Sequence, residues 1–295
     1  MSNFVLTCCS TVDRDKEFLN ERNIPYVCFH YRLDGVDYPD DLGETMSFAD
    51  FYEKMRKGAE PTTSQVNSSE FISFWEPYIQ EGKNILHVSL SSGISGAINS
   101  AVLAKNYLEQ KYPNSQVKIV DSLGASSGYG MLVEYIKDMQ DEGATFEECC
   151  EWAEDNKLTI HHWFFSTDLT NFYRGGRISS TSFFLGKLLK ICPLLNMDHL
   201  GRLTPRKKIR TKDKTIIETL NTMVENAKDG LNYNGKCYIS NSDSLEDATK
   251  LKNLIEAKFV NLKDKVKIYS VGTTIGSHTG PGTVALFFVG KKRVN

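Results

Sequence analysis

The stretch NILHVSLSSGISGAINSA (Asn84–Ala101) changes character twice. Its apolar opening, Ile85-Leu86-His87-Val88, reads as a buried strand. Ser91-Ser92-Gly93-Ile94-Ser95-Gly96 is too small and polar to continue it, and beyond that loop Ala101, Ala104 and Leu108 recur on one helical face. Strand, small-residue loop and helix form the unit of an α/β sheet. Such a sheet binds ligands outside the carboxyl ends of its strands. Backbone N–H groups at the start of the following helix favour an anion there, and the Ser92 and Ser95 hydroxyls can add donors. The inference is a pocket for a carboxylate or a phosphate. The loop matches neither G-x-G-x-x-G nor a Walker loop, so nucleotide binding is not indicated.

The same alternation extends on both sides. Phe4-Val5-Leu6 reads as a first strand with a helix over residues 13–21, and Pro25–Tyr31 as a second strand. Asp34-Gly35 signals a hairpin returning along Val36 to Tyr38. Ser47 is placed to cap a helix over Phe48–Arg56, and Ser68 one over residues 70–80. The hydroxyl-rich Pro61–Ser69 reads either as a linker or as a second wall of the ligand site. Downstream, Val117–Val120 is a strand, and helices follow with Leu132, Ile136 and Met139 in phase, then Phe146, Cys149, Cys150 and Ala153 behind a Thr145 cap. A mainly parallel sheet covered on both faces is expected to about residue 155. A second unit is expected to begin just before His161-His162. It contains an apolar helix over Phe183–Cys192, a cationic edge over Arg202–Lys214, and a glycine-rich turn, Ile275–Gly282, that holds His278.

The chain has 295 residues, enough for two domains. A net charge of −2 argues against general affinity for nucleic acid or an anionic membrane. No apolar run approaches the ~20 residues of a membrane span, and the N-terminus does not read as a signal peptide. Seven cysteines without a C-x-x-C pattern point to reduced thiols and a cytoplasmic setting rather than to a disulfide framework or zinc.

His278 and Ser95, with Asp121, permit a nucleophilic triad, although Gly93-Ile94-Ser95-Gly96 is not the G-x-S-x-G elbow. A serine hydrolase acting on acyl esters through Ser95 and His278 is therefore the alternative reading. No metal-ligand spacing is present.

Six segments, in order, resemble the DegV family of bacterial fatty-acid-binding proteins, which includes acyl-carrier subunits of fatty acid kinase. They are Thr63-Ser64-Gln65, Ser91–Gly96 with Ser100-Ala101, Asp121-Ser122 with Gly128, Tyr173–Ile178, Lys190–Leu195 and Ile275–Gly282. The resemblance implies two α/β domains. Residues 1–156 would carry a mainly parallel, Rossmann-like sheet with the hydroxyl-rich loops, and residues 157–295 an apolar tunnel for the acyl chain. It implies a non-enzymatic carrier of one long-chain fatty acid, without a cofactor. The carboxylate would be held at the domain junction by Thr63, Ser64, Ser95, the Gly96 backbone and His278, supported by Ser92, Ser122 and Gly280. Presentation to a separate ATP-dependent kinase would use Arg174, Arg177, Arg202 and Arg206. The chain departs from the family pattern at Cys9, Val66 and Thr167-Asp168, none of them a proposed carboxylate ligand.

Overall fold

The computed structural model describes residues 3–180 and 191–294. Strand β1 (Phe4–Cys9) ends in a short 3-10 turn, and Asp13 adopts a left-handed φ of 45°, so helix α1 (Lys16–Glu21) starts later than its sequence suggests. Where one strand was expected over Pro25–Tyr31 there are two, β2 (Tyr26–Val27) and β3 (His30–Leu33), in different sheets. The break falls at Phe29, whose N–H donates to the Ser10 hydroxyl (3.1 Å) instead of to a neighbouring strand. Asp34 and Gly35, with φ of 52° and 81°, turn the chain into β4 (Val36–Pro39). Helix α2 (Phe48–Arg56) is capped by Ser47 as expected.

The hydroxyl-rich segment is not a linker. Its core is strand β5 (Thr62–Ser64), paired with β3. Helix α3 (Ser68–Gln80) is capped by Asn67 rather than Ser68, because Asn67 and Glu70 close a reciprocal capping box. Then come β6 (Asn84–Ser89), α4 (Ala97–Lys111), β7 (Val117–Asp121), α5 (Ser126–Asp141) and α6 (Phe146–Asn156). Strands β2-β1-β6-β7 form a parallel sheet in that order, and β4-β3-β5 a separate antiparallel one.

The remaining elements are β8 (Ile160–Ser166), α7 (Thr170–Arg174), β9 (Leu194–Met197), β10 (Leu203–Lys207), α8 (Lys212–Asn226), β11 (Cys237–Ser242), α9 (Leu245–Lys258), β12 (Lys267–Ser270), α10 (Thr273–Thr279) and β13 (Thr283–Val289). Their six strands make a mixed sheet ordered β10-β9-β8-β13-β11-β12, in which only β11 and β12 run parallel. The first part of the cationic stretch, β10, forms one edge, where charge discourages further pairing. Most of the apolar helix expected over Phe183–Cys192 lies outside the described residues. No helix among the described residues is long and apolar enough to cross a membrane.

Helix α5 joins the two larger sheets. Its residues Ser126–Glu134 are all buried, and Tyr129, Leu132 and Val133 share one core with Tyr238, Tyr269 and Phe287 of the second sheet. A buried ion pair lies at the same seam. Arg14 Nη1 donates to Glu134 Oε2, and the guanidinium lies 3.9 Å from the Phe18 ring centroid and 4.7 Å from that of Tyr269. Burial opposes ionisation of Glu134, but Arg14, the Tyr238 hydroxyl and Lys236 outweigh it and hold the carboxyl down at about 2.

Candidate ligand-binding site

Strand β5 presents Thr63 toward α10, and Thr63 Oγ1 lies 2.8 Å from His278 Nε2. His278 is therefore not in a loop, as the glycine-rich sequence suggests, but in the last turn of a short helix. One glycine makes room for it and another ends its helix. A Cβ on Gly175 would fall 2.1 Å from His278 Nδ1, and Gly280, at φ +67°, ends the helix against Asn171. Burial, with Arg177 nearby, pushes the imidazole down to about 4, so it is neutral near neutral pH. Its Nδ1 has no hydrogen-bond partner among the described residues.

Ser95 lines the same cavity as Thr63 and His278, just before α4. Its Oγ accepts the Ala97 N–H (3.2 Å), leaving the hydroxyl proton free to donate. Not every loop amide is available as the sequence implied, since the Ile94 and Ser95 N–H groups both donate to Ser91 O (3.2 and 3.1 Å). Arg177 Nε donates to Ile94 O (3.0 Å).

Thr63, Ser64, Ser95, Arg177 and His278 all line one cavity of about 390 Å³. That lies within the ~300–1,000 Å³ of small-molecule sites. Beyond these groups the wall is mainly apolar, and it draws on both halves of the chain: Phe29, Leu90 and Ile94 on one side, Phe164, Met197 and Phe287 on the other. This cavity draws on both halves, where the resemblance places the acyl tunnel in residues 157–295. The sheet register gives it a long axis. Thr283, Ala285 and Phe287 face it in succession, with His162 paired beside Phe287. Four residues of strand, at ~3.3 Å each, carry the wall roughly 13 Å from the His278 end.

The other expected residues lie outside this wall. Ser92 is exposed, and its N–H donates to Asp121 Oδ1 (3.1 Å). Ser122 Oγ accepts the Gly124 N–H (3.1 Å) within its own turn. Gly96 adjoins the cavity, packed against the Gln65 side chain. Arg174 pairs with Glu60 (2.7 Å), Arg206 Nε donates to Asn196 Oδ1 (2.7 Å), and Arg202 is exposed on the β9–β10 hairpin. The triad is not assembled. Asp121 Oδ1 accepts loop N–H groups of Ser92 and Leu123, His278 Nε2 faces Thr63, and Gly175 occupies the place beside Nδ1 where an orienting carboxylate would stand.

In the sequence, His162 marks only the start of the second unit. It is buried against the cavity, and its ring packs over Gly124 and Gly128. Strand alternation puts the two adjacent histidines on opposite faces, but the facing glycines come from α5 and the loop before it, more than thirty positions earlier in the chain.

The family model "Uncharacterised protein, DegV family COG1307" matches residues 5–291. A DegV domain-containing protein of Clostridium perfringens is 36% identical over 293 residues, covering 98% of each chain. Among solved structures, a fatty-acid-binding DegV family protein from Thermus thermophilus superposes with a TM-score of 0.86 at 27% identity, over 98% of this chain and 100% of that one. DegV of Bacillus subtilis, described as a fatty acid binding protein, gives 0.84 at 26% identity, over 99% and 100%. The chain described here belongs to the DegV family.

Proposed function

We propose that the protein binds one long-chain fatty acid, with the acyl chain in the apolar cavity and the carboxylate at the Thr63–Ser95–His278 end. Residues 1–156 and 157–295 would act as the two halves that close around it. The observation that carries this reading is the cavity's lining: Thr63, Ser95, Arg177 and His278 gather at one end of a mainly apolar cavity. Each buried CH₂ contributes ~0.8 kcal/mol, so the chain supplies most of the affinity. The donors keep a carboxylate from being buried unpaired. Two DegV proteins of the same fold, described as binding fatty acids, support the same reading.

The carrier would present the carboxylate to a separate ATP-dependent kinase that converts it to an acyl phosphate. Arg174, Arg177, Arg202 and Arg206 are the candidate contacts. Titration of delipidated protein with oleate tests the binding step. Saturable uptake of one equivalent is expected, weakened in Ser95→Ala and His278→Ala. No uptake of any long-chain fatty acid would refute it. Rapid labelling by a fluorophosphonate at Ser95 would instead favour the hydrolase.

A further inference from the structure

Helix α10 carries His278 in its last turn, and its other end is held by two carboxylates from the first half of the chain. Asp40, just after β4, accepts the Thr273 hydroxyl (2.8 Å) and the Ser10 hydroxyl (3.1 Å). Asp13 Oδ1 accepts the Gly272 N–H (2.9 Å). Both aspartates are buried, at 1% and 3% exposure. They converge on one point, since a Cβ on Gly272 would stand 2.8 Å from Asp13 Oδ1 and 3.4 Å from Asp40 Oδ1. The small antiparallel sheet therefore grips α10 twice, through Asp40 at its first residue and Thr63 at its last turn. Just before the first grip, the Tyr52 hydroxyl of α2 donates to Val271 O (2.8 Å).

Burying two carboxyl groups is a costly way to hold a helix, because apolar packing would do so without the desolvation penalty. A helix of seven residues is also too short to hold its own position. What the hydrogen bonds add is a fixed axial setting. We propose that Asp40, acting through Thr273, is a positioning residue for His278: it sets α10 so that Nε2 meets Thr63 and the pair presents a polar face to the ligand's carboxylate. Asp13 holds the same helix start through Gly272. The effect on affinity rests on the fatty-acid reading above, whereas the effect on His278 does not.

The test is Thr273→Val, which removes the donor at nearly constant shape, beside Thr273→Ser, which keeps it. Imidazole ¹⁵N–¹H NMR signals of His278, assigned with His278→Gln, report its setting, and oleate titration of delipidated protein reports affinity. Thr273→Val is expected to shift the His278 signals and weaken oleate binding about tenfold. Thr273→Ser is expected to restore both. A lower melting temperature with unmoved His278 signals would overturn the proposal and leave Asp40 a purely structural acid. If wild-type protein takes up no oleate, the fatty-acid reading falls, and the His278 signals still decide the positioning role. Should Thr273→Val fail to fold, Thr273→Ala removes the same donor without setting a methyl group against a carboxylate, and carries the same expectations.

Discussion

Phe287 and His162 line the far end of the cavity with Gly128 packed against them, and replacing Gly128 with alanine should shorten the preferred acyl chain. A Cβ at this position would lie 2.2 Å from Phe287 Cδ1 and 2.6 Å from His162 Nε2. Carbon atoms in contact need ~3.5 Å or more, so the Phe287 ring must retreat by more than ~1 Å. Helix α5 is buried between two sheets and cannot back away, and both rings line the cavity, so the displacement goes into it. That distance is about one methylene of an extended chain. Each methylene excluded forfeits ~0.8 kcal/mol, about fourfold in affinity. The overpacking itself should destabilise the fold by about 1–3 kcal/mol. The assay is competition between saturated fatty acids of increasing length for delipidated protein, read by mass spectrometry of the bound fraction. Gly128→Ala should move the maximum toward shorter chains, with the longest acid losing at least about fourfold against the shortest. An unchanged length profile in a folded variant would refute the assignment of this wall to the distal acyl chain.

Thr63→Val removes the hydroxyl that meets His278 and should weaken fatty-acid binding about tenfold in calorimetric titration, with little change in melting temperature because Thr63 is only half-buried. Arg14→Met leaves Glu134 buried with only Lys236 and the Tyr238 hydroxyl, and should cost about 3 kcal/mol in guanidinium unfolding. A loss well under 1 kcal/mol would show that the seam does not depend on the pair. Acid should destabilise the fold through its buried imidazoles, of which His87 is one. Burial holds His87 down at about 3, against ~6.5 when unfolded, so the unfolded chain binds the extra proton between those values. The His87 contribution is complete above about pH 6.5 and falls as pH drops toward 3, by about 2 kcal/mol at about pH 5. Urea midpoints at about pH 7 and pH 5 measure it, and a flat profile would contradict the burial argument.

Much of the fold was legible because its signals are local. The Asp34-Gly35 turn, the Ser47 and Thr145 caps and the Ala101–Ala104–Leu108 stripe depend on neighbours within a few residues, and the structure places them as read. The first parallel sheet followed from strand–loop–helix alternation. The small antiparallel sheet did not, because β5 has the composition of a loop and becomes a strand only by pairing with β3. His278 was singled out, but its helix was hidden by the glycines at 276, 280 and 282. Gly276 admits the Tyr52 hydroxyl, and Gly280 ends the helix. That Thr63 meets His278 across more than two hundred residues is a tertiary fact. Only the family resemblance brought those two residues together in advance, and no periodicity could have done so.

The most direct test of the central claim is to denature the protein as purified, extract it with organic solvent and identify the extract by mass spectrometry. Close to one equivalent of a long-chain fatty acid per chain is expected, and it should be sharply reduced in protein carrying both Ser95→Ala and His278→Ala. An extract free of fatty acid, from protein that also takes up none when one is supplied, would contradict the carrier function.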